Sequence, residues 1–196
     1  MSGLLIAAPL RVEAALISSA APRARVRKTG MGTERARIAA QALAGERADG
    51  VLVLGFCGGL DATSVPGEVI VAEEVYAASD EGHSAQERLT CAGAHELASM
   101  LREGGLRARS GKIVCVSRLA VGERRGQLHS MGAIAVDMES VWLAPAAAGR
   151  PFAVVRVVLD SPSHELLRPQ AAIGAVRAAR TLRRVAAALH EWTPRD

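Results

Sequence analysis

Short apolar runs alternate with Ala-rich stretches whose apolar residues recur at helical spacing, and this alternation predicts an α/β fold around a largely parallel sheet. Gly3 to Ala8 reads as the first strand and Arg11 to about Ser19 as a helix. Ala24 to Lys28 follows as a strand, Thr29-Gly30-Met31-Gly32 as a turn, and Thr33 to Ala44 as a helix. Val51-Leu52-Val53-Leu54 is apolar at every position, the mark of a strand covered on both faces. It leads into Gly55-Phe56-Cys57-Gly58-Gly59-Leu60, which reads as a Gly-rich turn at the strand's end. An extended run then covers Glu68 to Val75, and Ser79 to Thr90 reads as a polar loop. Helix is expected for Ala92 to Glu103, strand for Ser110 to Val116, helix for Glu123 to Met131 and strand for Ala133 to Val136. A helix from Met138 to Ala148, a strand from Phe152 to Leu159 and a loop from Ser161 to Pro169 come next. In the last segment Ile173, Val176, Leu182, Val185 and Leu189 share helical spacing, with Arg177, Arg180 and Arg184 opposite, so this helix docks over the sheet. No linker or repeat divides the chain, and residues 1–196 are expected to form a single domain.

Composition narrows the class. With 49% hydrophobic but only 3% aromatic residues, the core must be built from Ala, Val, Leu and Ile. The formal charge is +4, yet the arginines are spread along helices and loops without aromatic interleaving. A solvated basic surface follows, and no nucleic-acid partner is expected. Cys57, Cys91 and Cys115 are odd in number and show no CxxC spacing, which argues against a structural metal and a disulfide framework. The apolar N-terminal run is too short for a signal peptide core or a membrane span, and no other run reaches membrane length. A soluble cytoplasmic protein with no integral membrane segment is expected.

In open α/β sheets ligands collect beyond the carboxyl ends of the strands. That rule selects residues 9–13, 30–32 and 56–60, with Ser117, Asp137-Met138-Glu139 and Asp160. Gly58 and Gly59 either bring backbone N–H groups close to a ligand or serve a turn that needs positive φ. Asp137 and Glu139 at a helix start suit the helix dipole as caps. Equally, Glu139 can accept hydrogen bonds from a vicinal diol while Met138 offers a flat, polarizable surface to a base or sugar. Asp160 closes a buried strand, either as a cap or as an acid over a pocket, where it can protonate a departing purine at N7. Glu13, one turn into the first helix, is either a dipole-matching charge or a general base for an attacking water facing Asp160 across the sugar.

These residues, in this order, resemble the purine nucleoside phosphorylase/uridine phosphorylase superfamily. The resemblance covers nearly the whole chain. Gly58-Gly59-Leu60 with Pro66-Gly67-Glu68-Val69 is similar to the family's GGL…GD stretch, Val136-Asp137-Met138-Glu139 to its V-E-M-E start, and Arg156 to Asp160 to its R-x-x-S-D strand end. The likeness is greatest to the nucleosidase branch, with methylthioadenosine/S-adenosylhomocysteine nucleosidase and futalosine hydrolase. It implies a three-layer nucleoside-phosphorylase-like α/β fold, a central mixed twisted sheet flanked by helices. It also implies an enzyme that cleaves the N-glycosidic bond of an adenosine-type nucleoside without metal or cofactor, as a homodimer. In that reading Asp160 is the general acid at N7 and Glu13 stands near the nucleophile. Met138 packs on ribose and base, Glu139 binds the sugar hydroxyls, Ser117 borders the base, and Asp137, Phe56, Gly58 and Gly59 complete the substrate site.

The family's N-terminal G-D-P-x-R phosphate loop is absent, which favours water over phosphate. Leu159 and Phe56 stand where the family places serines, and the loss of both polar groups motivates the alternative of a non-catalytic purine-binding protein; a phosphate-dependent phosphorylase is the other alternative left open. Phe56 beside Gly58-Gly59-Leu60-Asp61, with Asp137-Met138-Glu139-Ser140, resembles the hopanoid-biosynthesis subgroup, which implies adenosylhopane as substrate. Trp142, one helical turn beyond Met138, is either a wall for a bulky apolar 5′ group or ordinary helix packing.

Overall fold

The apolar runs assemble into one mixed eight-stranded sheet, seen in a computed structural model that describes residues 3–78, 87–163, 171–189 and 192. The strands are β1 (Leu4–Ala8), β2 (Arg25–Lys28), β3 (Gly50–Gly59), β4 (Val69–Ala77), β5 (Arg88–Thr90), β6 (Ala108–Cys115), β7 (Ala133–Asp137) and β8 (Phe152–Asp160). The helices are α1 (Arg11–Ala20), α2 (Thr33–Ala44), α3 (Ala94–Glu103), α4 (Glu123–Ser130), α5 (Ser140–Leu143) and α6 (Ala171–Leu189).

Period-two alternation along the central strands creates two cores. Leu4, Ile6 and Ala8 of β1 and Leu52 and Leu54 of β3 join Ile17, Leu97, Leu101, Leu182 and Val185 from α1, α3 and α6. The intervening Leu5, Ala7, Val51 and Val53 turn to the opposite face, against Ala36, Ala40 and Leu43 of α2 and Val141 and Leu143 of α5. The sheet therefore lies between two helical layers, the arrangement that strands apolar on both faces require.

The sheet is less parallel than the alternation of elements predicts. β2, β1, β3 and β8 run parallel, but β4 crosses β8 antiparallel through Val69–Val157 to Val71–Val155. β4, β6 and β7 are again parallel to one another. β7 then returns to the end of β3 antiparallel, pairing Val136 with Gly58 and Ala135 with Gly59. Strands β3, β8, β4, β6 and β7 thus close a circuit of pairings, and the ends of β3, β7 and β8 meet.

Two boundaries differ from the sequence reading. The Gly-rich segment is strand rather than turn: β3 runs to Gly59, with a register slip against β8 between Cys57 and Gly58. Neither Gly58 nor Gly59 has positive φ. The helix expected from Met138 starts at Ser140 and gives way after Leu143 to a 3₁₀ turn, Ala144–Ala147, where Pro145 has no N–H to continue an α-helix. Of the two expected loops, residues 79–86 and 164–170 fall outside the described residues, and Arg88–Thr90 pairs with β4 as β5. Among the described residues no helix is long and apolar enough to cross a membrane.

Candidate active site

Where β3, β7 and β8 converge, a cavity of about 130 Å³ opens between the ends of β1, β2 and β6. Glu13, Phe56, Gly58, Asp137, Met138, Glu139 and Asp160 all line it. The sequence places these residues far apart; the sheet brings them round one cavity. Gly59 and Ser117 are not in the lining, and Ser117 is exposed, with Val116, Leu119 and Ala120 occupying that side.

The fully buried Arg156 of β8 organises the acidic half of the site. Its Nη2 lies 2.7 Å from Asp137 Oδ2 and 3.6 Å from Glu139 Oε2. Its Nε and Nη2 also donate to Ser140 Oγ at 3.2 and 3.0 Å. Asp137 spends its oxygens on structure: Oδ1 accepts Cys115 Sγ at 2.8 Å and the Glu139 and Ser140 N–H groups at 3.3 Å, and Oδ2 accepts the Ser140 hydroxyl. It therefore fixes the start of α5 and, through it, the place of Glu139.

Glu139 reaches the other way. Its Oε1 accepts the Gly32 N–H at 2.9 Å, drawing the turn between β2 and α2 over the site. Gly32 has φ +92°, a conformation open to glycine at little cost, which is why that N–H can face the carboxylate. Burial raises the Glu139 carboxyl to about 7, against the pull of Arg156 and with the Asp137 charge adding to the rise.

Glu13 is buried at the start of α1. Its Oε2 accepts the Leu10 N–H at 2.6 Å, capping the helix, and its Oε1 accepts the Phe56 N–H at 2.7 Å, tying α1 to β3. Burial pushes its carboxyl above the usual range, although Arg156 and the two N–H donors pull it down. Gly55 makes this packing possible. A Cβ there would stand 2.6 Å from Glu13 Oε1 and 2.7 Å from Arg156 Nη1. Burial alone would make the Arg156 guanidinium easier to deprotonate, but Asp137, Glu139 and Glu13 reverse the effect and hold it protonated.

The opposite wall holds Asp160, paired with Arg125 of α4. The sequence reading missed Arg125, because Glu123 to Ser130 looks like a solvated polar helix. Arg156 was visible as a lone charge within an apolar strand. Cys57 also lines the cavity, but burial pushes its thiol well up, so it is a neutral wall atom. Trp142 lies elsewhere, its ring 4.4 Å beneath the Arg37 guanidinium of α2, in a packing role. Among the described residues no group of three or more His, Cys, Asp or Glu side chains is arranged to hold a metal ion. The carboxylates gather round a guanidinium instead.

Residues 15–187 match the family described as the phosphorylase superfamily. The chain belongs to that superfamily. As a member it is an enzyme of the nucleosidase or phosphorylase class. No curated protein matches its sequence. Solved structures resemble it over almost their whole length. The 5′-methylthioadenosine/S-adenosyl homocysteine nucleosidase of Campylobacter jejuni superposes with a TM-score of 0.79 at 14% identity, covering 98% of this chain and 100% of its own. The nucleosidase of the same name from Helicobacter pylori, complexed with a substituted pyrrolidin-3-ol, gives 0.78 at 18% identity, covering 96% of each chain. Futalosine hydrolase of Helicobacter pylori gives 0.76 at 18% identity, covering 96% of this chain and 95% of its own. At such identities these likenesses establish the superfamily's fold, and the assignment of chemistry rests on the site.

Proposed function

We propose that this superfamily member hydrolyses the N-glycosidic bond of an adenosine-type nucleoside and releases adenine. The observation that carries the reading is the gathering of Glu13, Glu139 and Asp160 round one cavity, with Arg156 buried behind the first two. Cleavage builds positive charge on the sugar and negative charge on the base. Glu139 accepts the ribose hydroxyls and Met138 packs against the sugar. Glu13 takes a proton from the attacking water as its oxygen bonds to C1′. Asp160 gives its proton to the purine at N7 as the C1′–N9 pair of electrons leaves with the base, so the base departs neutral and Asp160 is left as the carboxylate. Asp137 and Arg156 act behind these groups, setting the angle and charge of Glu139.

The proposed substrate carries a bulky apolar 5′ group, as adenosylhopane does. Support comes from the rim. Met31 and Leu119 line the cavity yet are 50% and 66% exposed, and Val121, two residues along the chain from Leu119, is 59% exposed. An apolar substituent would cover them. The same reading has the enzyme act in the cytoplasm and as a homodimer; light scattering of the purified protein decides the oligomeric state.

The test is adenine release from adenosylhopane, methylthioadenosine and S-adenosylhomocysteine, with and without phosphate. Phosphate-independent release, fastest from adenosylhopane, is the expected result. Strict phosphate dependence makes the protein a phosphorylase, and adenine binding without turnover makes it a purine-binding protein.

A further inference from the structure

Arg125 stands in the first turn of α4 and is 4% exposed, walling the cavity beside Asp160. All three edges of its guanidinium are used. Nε donates to the Ala120 carbonyl at 3.0 Å and Nη1 to the Gly59 carbonyl at 3.0 Å, while Nη2 pairs with Asp160 Oδ2. Bonds in three directions fix the plane of the fork, and a fixed fork fixes the carboxylate that it holds. Gly58 leaves room for the pair. A Cβ there would lie 3.3 Å from Asp160 Oδ1 and 3.5 Å from Arg125 Nη2.

The placement is costly. Desolvating an ion pair offsets most of its attraction, so a buried pair is poor evidence of a stability role. Leu159, the residue before Asp160, offers no side-chain polar group to aim the acid. Arg125 reaches it from 35 residues away in the chain.

We propose that Arg125 is the positioning residue of Asp160, holding its carboxylate at the angle from which it meets the leaving base. This rests on the reading of Asp160 as the group that faces the purine. The guanidinium also stabilises the carboxylate that Asp160 becomes once its proton has passed to N7, which favours that transfer. Arg125 acts through Asp160, so its loss slows the chemical step and leaves ribose binding by Glu139 in place.

The experiment measures kcat and KM for adenine release by the wild type, Arg125→Met and Arg125→Lys, with thermal unfolding of each. Arg125→Met is expected to lower kcat at least 30-fold while KM changes less than threefold, and Arg125→Lys, which keeps the charge without the fork, to recover part of the loss. Arg125→Met with kcat within threefold of the wild type overturns the proposal. So does a rise in KM at unchanged kcat, which would make Arg125 a substrate-binding residue. Loss of activity in step with loss of folded protein in both variants makes it structural and overturns it too. A wild type that releases no adenine from any substrate removes the functional reading, and this inference with it.

Discussion

Arg156 and Asp137 form an ion pair with both side chains out of solvent, Nη2 to Oδ2 at 2.7 Å with 0% and 1% side-chain exposure. The same guanidinium faces Glu139 and holds down the charge cost of Glu13. Arg156→Met therefore leaves three buried carboxylates without their cation. The expected loss of stability is about 3–5 kcal/mol. It should be larger at about pH 8 than at about pH 5, because protonation relieves carboxylates that have lost a cation. Urea unfolding at the two pH values measures both the loss and its sign. Equal losses at both would show that Arg156 contributes packing alone.

Gly55 lets Glu13 and Arg156 pack together through the absence of a side chain. The Cβ of Gly55→Ala would meet Glu13 Oε1 at 2.6 Å and Arg156 Nη1 at 2.7 Å, so the Glu13 carboxylate must move. Its hydrogen bonds to Leu10 and Phe56 resist that movement. Gly55→Ala should cost about 1–3 kcal/mol of stability, in the range of overpacked cores. The rate of adenine release should fall at least tenfold, since a shift of about 1 Å in a catalytic group costs about 10²-fold. A variant with wild-type kcat would place Glu13 outside the chemistry.

Sequence periodicity was enough for the layers and most of the elements, because strands such as Val51-Leu52-Val53-Leu54 must be covered on both faces whatever the partner. It misjudged Gly55 to Gly59 for a physical reason. Glycine is disfavoured in strands on local grounds, but here Glu13, Arg156, Ser64 and Asp160 occupy the space of the missing Cβ atoms. That reason lies in tertiary packing, beyond any window of sequence. The antiparallel return of β7 onto β3 was hidden for the same reason. In the candidate site, Glu13, Asp137, Glu139 and Asp160 could be selected because each lies at or shortly after a strand end. Arg125 could not, since its partner is distant and its own helix reads as solvated. Asp137 lines the cavity as expected of a strand-end residue, but its hydrogen bonds and ion pair run to Cys115, Glu139, Ser140 and Arg156, which no window of sequence displays.

Glu13 uses one oxygen for each of two backbone N–H groups. Glu13→Gln keeps the shape but brings its NH₂ against one of those donors, leaving a buried N–H unpaired at a cost of about 1–3 kcal/mol. It also removes the base. The expected kcat is about 10²–10⁴ lower, with KM little changed. Steady-state kinetics together with thermal unfolding separate the two effects. If kcat stays within tenfold while the unfolding midpoint drops, Glu13 is a helix cap and another group activates the nucleophile.

Glu139 carries the clearest pH signature, because burial raises its carboxyl from 4.5 to about 7. A carboxyl whose folded-state value lies above its unfolded value binds its proton more tightly in the native state. Between those two values the folded protein keeps a proton that the unfolded chain has released, so stability falls as pH rises through the window and levels off above it. The full fall is on the order of 3 kcal/mol. Glu139→Gln cannot titrate, so the wild type should lose stability relative to the variant between about pH 5 and pH 7, whatever the other carboxylates contribute to both. Urea unfolding of the two proteins across that range gives the difference directly. Parallel curves would mean that Arg156 and the Gly32 N–H keep Glu139 ionised throughout, ready to accept a diol at any of these pH values.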